Sequence, residues 1–284
     1  MSKRNRKGGV RPSVQEAVLA KVEIGVVIPV YGQTDLLQKS LVAIPAAVGN
    51  YSYRIVLVDN GSPKEDVAEF YNNILPSLDL PVSVIRLVSN AGFPRACNVG
   101  IRNMNCEYVA VVTSDVEMSP GSLELMVNDC KADETVGIVG PKLIFSEGTP
   151  HGPAGKIQHA GMNFSIRGTI DHTFIGWSAN NPKANKLEYV DAVTGACFVT
   201  PKKLMIRAGL FDEHYGLGTW EDIDYCMSVH DLGYNILYEP KAVGTHWVGA
   251  SVTHYKMQFP LEQNRNRFLS KWQGKIMWTV WKRL

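Results

Sequence analysis

The sequence predicts an α/β fold, a mostly parallel central sheet with helices on both faces, followed by a C-terminal helical extension. Three observations carry this. Apolar, β-branched runs alternate with helical spacings through the first half of the chain. The connections between them are short. Two of the runs end on an acid, Asp59 and Asp115, and in open parallel sheets ligands sit beyond the carboxyl ends of the strands.

The elements follow in order. Val22 to Val30 is a buried strand running into a loop at Tyr31-Gly32. A helix follows, with Thr34 as its expected cap and Pro45 marking an end or a kink. Tyr53 to Val58 is a second strand, closed by Asp59-Asn60-Gly61-Ser62, and Lys64 to Leu75 a second helix. Val82 to Val88 is a third strand, Asn90-Ala91-Gly92-Phe93 a turn, and Arg95 to Asn103 a third helix. Tyr108 to Thr113 is a fourth strand, followed by Ser114-Asp115-Val116-Glu117 and a helix from Ser122 to about Lys131. From Ser146 to Asn185 periodicity is lost and Gly and His become frequent, which predicts short strands and a loop over the ligand edge. His151, His159 and His172 lie there, each a ligand, an acid or a packing residue on this reading. Val190 to Val199 reads as one strand broken at Thr194-Gly195-Ala196, where the glycine implies close backbone approach. Ile236 to Tyr238 is a short strand ended by Pro240, and Val243 to Trp247 leads to a last loop.

Thr219-Trp220-Glu221-Asp222-Ile223-Asp224 places three carboxylates at the start of a helix that Gly233 stops. Acids in a first turn suit the helix dipole. They equally suit a general base presented by a rigid helix at the mouth of a cleft. The stretch from Phe259 to Leu284 is basic and aromatic, with Phe268, Trp272 and Ile276 near one helical face. Packing of that face onto the domain is the economical account, and peripheral association with a membrane surface the other.

Composition sets outer bounds. With 284 residues and 45% hydrophobic content the chain can bury a sizeable core. A net charge of +2 argues against nucleic acid as a partner. Residues 1–20 form a basic, polar tail, expected to be disordered and lacking the apolar core of a secretory signal. No apolar run approaches the roughly 20 residues that span a bilayer. Five scattered cysteines without a C-x-x-C point to buried thiols in a reducing cytoplasm. No G-x-G-x-x-G follows the first strand and no G-x-x-x-x-G-K-[ST] occurs, so phosphate-cradling loops of those kinds are absent. The expected organisation is the tail, a first half over 21–145 and a second half of the same domain over 146–250, and the extension over 251–284.

Ordered motifs then carry a resemblance. They are Val27-Ile28-Pro29-Val30-Tyr31, Val58-Asp59-Asn60-Gly61-Ser62, Asn90-Ala91-Gly92-Phe93, Ser114-Asp115-Val116, Ile157-Gln158-His159-Ala160-Gly161, Val193-Thr194-Gly195-Ala196, Gly209-Leu210-Phe211-Asp212-Glu213, Glu221-Asp222-Ile223-Asp224, and His246 with Gly249 and Ser251. From about Val22 to Ser251 the chain resembles the family 2 glycosyltransferases, whose fold is of the GT-A nucleotide-sugar type. The resemblance implies an inverting transfer of sugar from a nucleotide diphosphate to an acceptor hydroxyl, in surface polysaccharide or glycoconjugate synthesis. It implies Asp222 as general base with Glu221 beside it. On the donor side it implies Pro29, Tyr31, Asp59, Asn90, Arg95, Ser114, Asp115 and Gly195, and on the acceptor side Trp220, Asp224 and His159. A divalent metal, Mn²⁺ or Mg²⁺, is expected on Asp115, with His246 and Glu117 completing its shell. The D-x-D motif reads Thr113-Ser114-Asp115 here, so its first acid is missing. The implied donor is a UDP-sugar, or a dTDP- or GDP-sugar, and the acceptor a glycan, a lipid-linked sugar or a protein, at the cytoplasmic face of a membrane. The alternatives are a non-catalytic sugar-nucleotide-binding relative, which Thr113 favours, and a nucleotidyltransferase, whose signature loop Pro29 to Thr34 lacks.

Overall fold

The computed structural model describes residues 21–165 and 169–281. The expected N-terminal tail, and Lys282 and Arg283 of the extension, lie outside them. In chain order the elements are β1 (Val22–Val30), α1 (Thr34–Ala47), β2 (Tyr53–Asp59) and α2 (Lys64–Glu69), which runs on through a π-helical turn, Phe70–Ile74, to Leu75–Ser77. Then come β3 (Val82–Arg86), α3 (Phe93–Arg102), β4 (Cys106–Val112), β5 (Val116–Met118), α4 (Ser122–Ala132) and β6 (Val136–Phe145). Short strands follow: β7 (Ile157–His159), β8 (Met162–Phe164), β9 (Ile170–His172) and β10 (Glu188–Val190). The last part holds β11 (Cys197–Pro201), α5 (Lys202–Arg207), α6 (Glu221–Asp231), β12 (Asn235–His246), α7 (Ala250–Tyr255) and α8 (Leu261–Trp281).

One sheet organises the molecule, in the order β10-β12-β6-β11-β4-β1-β2-β3, with β5 on β12 and β7 on β6. β1 to β4 are mutually parallel. β11 enters antiparallel between β4 and β6, and β12 returns parallel to β6. Side chains alternate faces along a strand. Thus Val26 and Ile28 of β1, Ile55 and Leu57 of β2 and Ala110 and Val112 of β4 pack toward α1 and α4. Val27, Val56, Val58, Val109 and Val111 pack on the other face, with α3, α6 and α8. Burial on both faces is why these strands read as unbroken apolar runs.

The order of strands reverses at β1: β2 and β3 lie on one side, β4 on the other. A crevice opens at such a reversal, beyond the carboxyl ends of β1 and β4. Pro29 to Tyr31 and Thr113 to Asp115 stand at those two ends.

The structure departs from the sequence expectation in four places, three of them beyond α4. β6, a ten-residue strand buried along nearly all its length, fills a stretch to which no element was assigned. The expected strand from Val190 to Val199 is two strands, β10 paired to β12 and β11 paired to β4, with the Thr194 loop between them. Pro240 does not end its strand: β12 continues through a register shift between Glu239 and Val243 and carries His246 at its tip. Thr34 does not cap α1; Gln33, in a left-handed conformation at φ 55°, precedes it without a side-chain cap.

α8 packs as the economical account of the extension expects. Phe268, Trp272 and Ile276, four residues apart, are buried in the α3–α6 face of the core. Among the described residues no helix is long and apolar enough to cross a membrane.

Candidate active site

A cavity of about 340 Å³ occupies the crevice, within the range of small-molecule sites. Pro29, Tyr31, Asn90, Ser114, Asp115, Gly195, Glu221, Asp222 and His246 line it, as the motifs imply. They come from six separate parts of the chain, brought together by the sheet reversal and by the loop ahead of α6.

Asp222 opens α6 and faces the cavity. Its Oδ2 accepts the Gly195 N–H at 2.8 Å, and its Oδ1 accepts the Ile223 N–H at 2.8 Å. Gly195 must be small: a Cβ there would lie 3.2 Å from the Asp222 Cβ and 3.3 Å from the Phe93 ring. Glu221 is buried beside it, and its Oε2 has no hydrogen-bond partner. Burial and the Asp222 charge push the Glu221 carboxyl well above its ordinary range. Burial also raises Asp222, opposed by the Gly195 and Ile223 amides and by His172. The two acids share one buried site, so the proton rests first on Glu221, which lacks donors, and the charge on Asp222, which has them.

The loop leading into α6 is strained. Thr219 and Trp220 both have positive φ, 77° and 71°, a left-handed conformation that bulky residues rarely adopt. Asn264 of α8 over-determines it: its Nδ2 lies 2.9 Å from the Tyr215 carbonyl, 2.8 Å from that of Gly218 and 3.1 Å from that of Thr219. The facing turn grips the same loop. Phe93 N–H donates to the Leu217 carbonyl, and any Cβ on Gly92 (φ 89°) would lie 1.8 Å from the Gly216 oxygen.

Across the cavity His246 Nε2 stands 3.5 Å from Asp115 Oδ1. On its other side His246 Nδ1 is 3.1 Å from Gln158 Oε1. An amide oxygen only accepts, so Nδ1–H donates to it and Nε2 is the ring nitrogen turned toward the carboxylate. Burial raises the Asp115 carboxyl, but His246 and Thr113 outweigh it and hold it below its ordinary value. An imidazole nitrogen and a carboxylate oxygen thus converge at the cavity wall, and such a pair of side chains fits a divalent cation. Thr113 stands in place of the first motif acid; its hydroxyl lies 3.4 Å from the Ala196 carbonyl, just ahead of β11, and its N–H donates to the same oxygen at 2.9 Å.

Six expected residues stand elsewhere. Asp59 is fully buried below the cavity, its Oδ1 taking the Ser62 N–H at 2.8 Å and its Oδ2 3.1 Å from Arg86, its register partner on β3. Asn60 lines the cavity in its place and bonds to Asn90. Arg95 is exposed and pairs with Glu213 at 3.9 Å. Glu117 is exposed on β5 opposite Thr245, lining an adjoining groove that shares Asp115 with the cavity. Among the described residues no three His, Cys, Asp or Glu side chains converge as a metal cluster, so Glu117 does not join the Asp115–His246 pair. Trp220 packs on Phe268 with ring centroids 5.1 Å apart. Asp224 points away from the cavity into α8, accepting from Tyr215 Oη at 3.0 Å, Trp272 Nε1 at 2.7 Å and Lys271 Nζ at 2.8 Å. His159 is fully buried against His172. None of the three expected acceptor residues therefore lines the cavity. Phe93, Leu217, Met257 and Phe259 also line the cavity, a part for which no motif singled them out. Gln158 lay inside a motif but without an assigned part.

Fold and cleft together define a GT-A type transferase architecture. The chain belongs to glycosyl transferase family 2, whose model matches residues 25–208. It is 28% identical over 236 residues to the uncharacterized protein y4gI of Sinorhizobium fredii, covering 81% of this chain and 25% of that protein. It is 25% identical over 249 residues to the O-antigen biosynthesis protein RfbC of Myxococcus xanthus, covering 84% of this chain and 18% of that protein. The chain thus spans a quarter or less of these relatives' length. Two solved structures share the fold at 17% identity. GalNAc-T7 with UDP, GalNAc and Mn²⁺ aligns at a TM-score of 0.71, covering 90% of this chain and 50% of that one. The mannosyltransferase PcManGT from Pyrobaculum calidifontis, in complex with GDP-Man and Mn²⁺, aligns at 0.58, covering 84% and 61%.

Proposed function

We propose that this chain is an inverting, metal-dependent glycosyltransferase that moves a sugar from a nucleotide diphosphate to an acceptor hydroxyl. The observation that carries the proposal is the shared cavity. Asp222, fixed by the Gly195 amide, lies on one wall, and the Asp115–His246 pair on another. Asp222 takes the proton of the attacking hydroxyl, which approaches the anomeric carbon opposite the leaving diphosphate; one base and one displacement give inversion. Asp115 and His246 would hold the divalent cation, Mn²⁺ more readily than Mg²⁺ because of the imidazole. Bound there, it supplies positive charge against the leaving group. Glu221, protonated, presents a hydrogen-bond donor rather than a second negative charge beside the diphosphate. Asn60, Asn90 and Tyr31 line the end of the cavity nearest β2, where the nucleoside is proposed to lie. Phe93, Met257 and Phe259 offer an apolar wall to the acceptor. Known complexes of the fold with UDP and with GDP-Man keep both nucleotides in contention, UDP first. The O-antigen relative supports surface polysaccharide synthesis as the setting. Five buried, free cysteines suit a reducing, cytoplasmic compartment.

The test is a donor screen with the full chain: UDP-, dTDP- and GDP-sugars, with Mn²⁺ or with chelator, followed by thermal stability and by release of nucleoside diphosphate. One donor should stabilise the fold only with metal and be slowly hydrolysed, and Asp222→Asn should abolish hydrolysis while keeping that stabilisation. Stabilisation of the wild type without turnover would establish the non-catalytic reading instead, and pyrophosphate release a nucleotidyltransferase.

A further inference from the structure

We propose that His159 is a positioning residue for the base: its ring holds the Thr194–Gly195 backbone that in turn holds Asp222, and it sets the tautomer of His172. The proposal rests on the reading of Asp222 as general base; its geometric part stands without that reading.

His159 ends β7 and is fully buried. Its Nε2 lies 3.3 Å from the Gly161 N–H and 3.4 Å from the Thr194 N–H. Both neighbours are donors, so Nε2 is a lone pair that accepts from them. The proton therefore sits on Nδ1. Nδ1 in turn is 2.9 Å from His172 Nδ1, and two ring nitrogens at that distance need one donor and one acceptor. His172 must accept there and carry its own proton on Nε2. The two rings are thus neutral and of opposite tautomer. Burial, with His172 and His246 nearby, keeps His159 uncharged, in agreement with this order.

The consequence reaches the cavity in one peptide step. Thr194, held by His159, precedes Gly195, whose N–H donates to Asp222 Oδ2 at 2.8 Å. That loop joins β10 to β11 and has no regular structure of its own, so its place depends on such contacts. The neighbouring Gly161 amide, held by the same nitrogen, starts the turn into β8; the Gly161 carbonyl accepts the Thr173 N–H at 2.9 Å and so ties in the β9 end. One ring nitrogen therefore joins two loops under the base. His159 touches neither the cavity nor any reacting atom.

The test uses the full chain and two variants, with folding checked by circular dichroism. His159→Gln keeps a side-chain oxygen able to accept where Nε2 does, and His159→Leu keeps bulk without an acceptor. Nitrogen-15 correlation spectra of the wild-type histidines should show the Nδ1–H tautomer for His159 and the Nε2–H tautomer for His172. The Gly195 amide proton should exchange faster and shift in the Leu variant, and return toward wild type in the Gln variant. In hydrolysis assays with UDP-glucose, UDP-N-acetylglucosamine or GDP-mannose and Mn²⁺, kcat should fall on the order of 10- to 100-fold in the Leu variant while KM for the donor stays within about twofold, with recovery in the Gln variant. Two Nε2–H tautomers, an undisturbed Gly195 amide in the Leu variant, or a changed KM with unchanged kcat would overturn the proposal. If the wild type hydrolyses none of the three donors, the transferase reading is in question, and the tautomers and the Gly195 amide still decide the placement of the loop.

Discussion

The amide oxygen of Gln158 accepts the Nδ1–H of His246 at 3.1 Å and so decides which face of that imidazole is left for a cation. The next residue along β7, His159, points the other way and serves the opposite wall. Replacing Gln158 with Leu removes the acceptor and frees the His246 ring to turn and to change tautomer. Loss of such a supporting bond typically costs 10–100-fold in metal affinity. Calorimetric titration of the Gln158→Leu variant with Mn²⁺ should show about that loss; an unchanged affinity would place the cation elsewhere.

Asp115 supplies the only carboxylate of the proposed cation pair. Asp115→Ala should therefore behave like chelator treatment of the wild type. Donor should stabilise neither sample against heat, and adding Mn²⁺ should not rescue the variant. A variant that keeps metal-dependent stabilisation by donor would exclude Asp115 as the ligand.

Asp224 binds α8 to α6 through Tyr215, Lys271 and Trp272. Trp272→Ala deletes a nearly fully buried aromatic ring and the indole donor to a buried carboxylate. Truncations of this kind cost about 3–5 kcal/mol, measurable by urea titration. Because Asn264 of the same helix pins the loop before Asp222, hydrolysis should fall together with stability. A loss under about 1 kcal/mol would show α8 to be loosely docked.

Asp129 offers a pH test that needs no substrate. Burial, with Glu239 beside it, raises its carboxyl to about 6 from an ordinary 3.8. Between those values the folded chain keeps a proton that the unfolded chain has released, so stability falls as pH rises through the window. The penalty is complete above the folded value and absent below the ordinary one. Asp129→Asn removes it, and after allowance for solvent screening the gain is on the order of 1 kcal/mol at pH 7.5. The melting temperature should rise by about 2–4 °C at pH 7.5 and not at all near pH 3.5. A gain of equal size at both values would count against the shared proton.

Much of the first half was legible because β1, β2 and β4 are buried along most of their length on both faces and the helices on one, so their periods differ plainly. β6 escaped because Gly137, Gly140, Pro141 and Lys142 look like loop residues. The two glycines are there for close packing: a Cβ on Gly137 would meet Val229 and Leu204, and one on Gly140 would meet Val193. Lys142 places its amino group against Asn185 Oδ1 at 2.7 Å and the Ala179 carbonyl at 3.3 Å. Such compensation depends on distant partners and leaves no local pattern. In the site, residues at strand ends were readable from topology, and those on α6 less so. Asp222 and Asp224 are two residues apart, roughly 200° around a helix, so one faces the cavity and the other the core. His159 was ambiguous for a similar reason: its sequence neighbours do not reveal which amides lie against its ring.

The grip of α8 on the loop before Asp222 also has a meaning for synthesis. β1 to β4 emerge from the ribosome first and pair with one another, whereas β5 waits for β12. The base cannot be set until Asn264 and Trp272 have followed it out of the exit tunnel. Nascent chains would therefore hold the four-stranded start of the sheet before either wall of the cavity is complete. A C-terminal fusion that strains α8 would keep a protein in that unfinished condition.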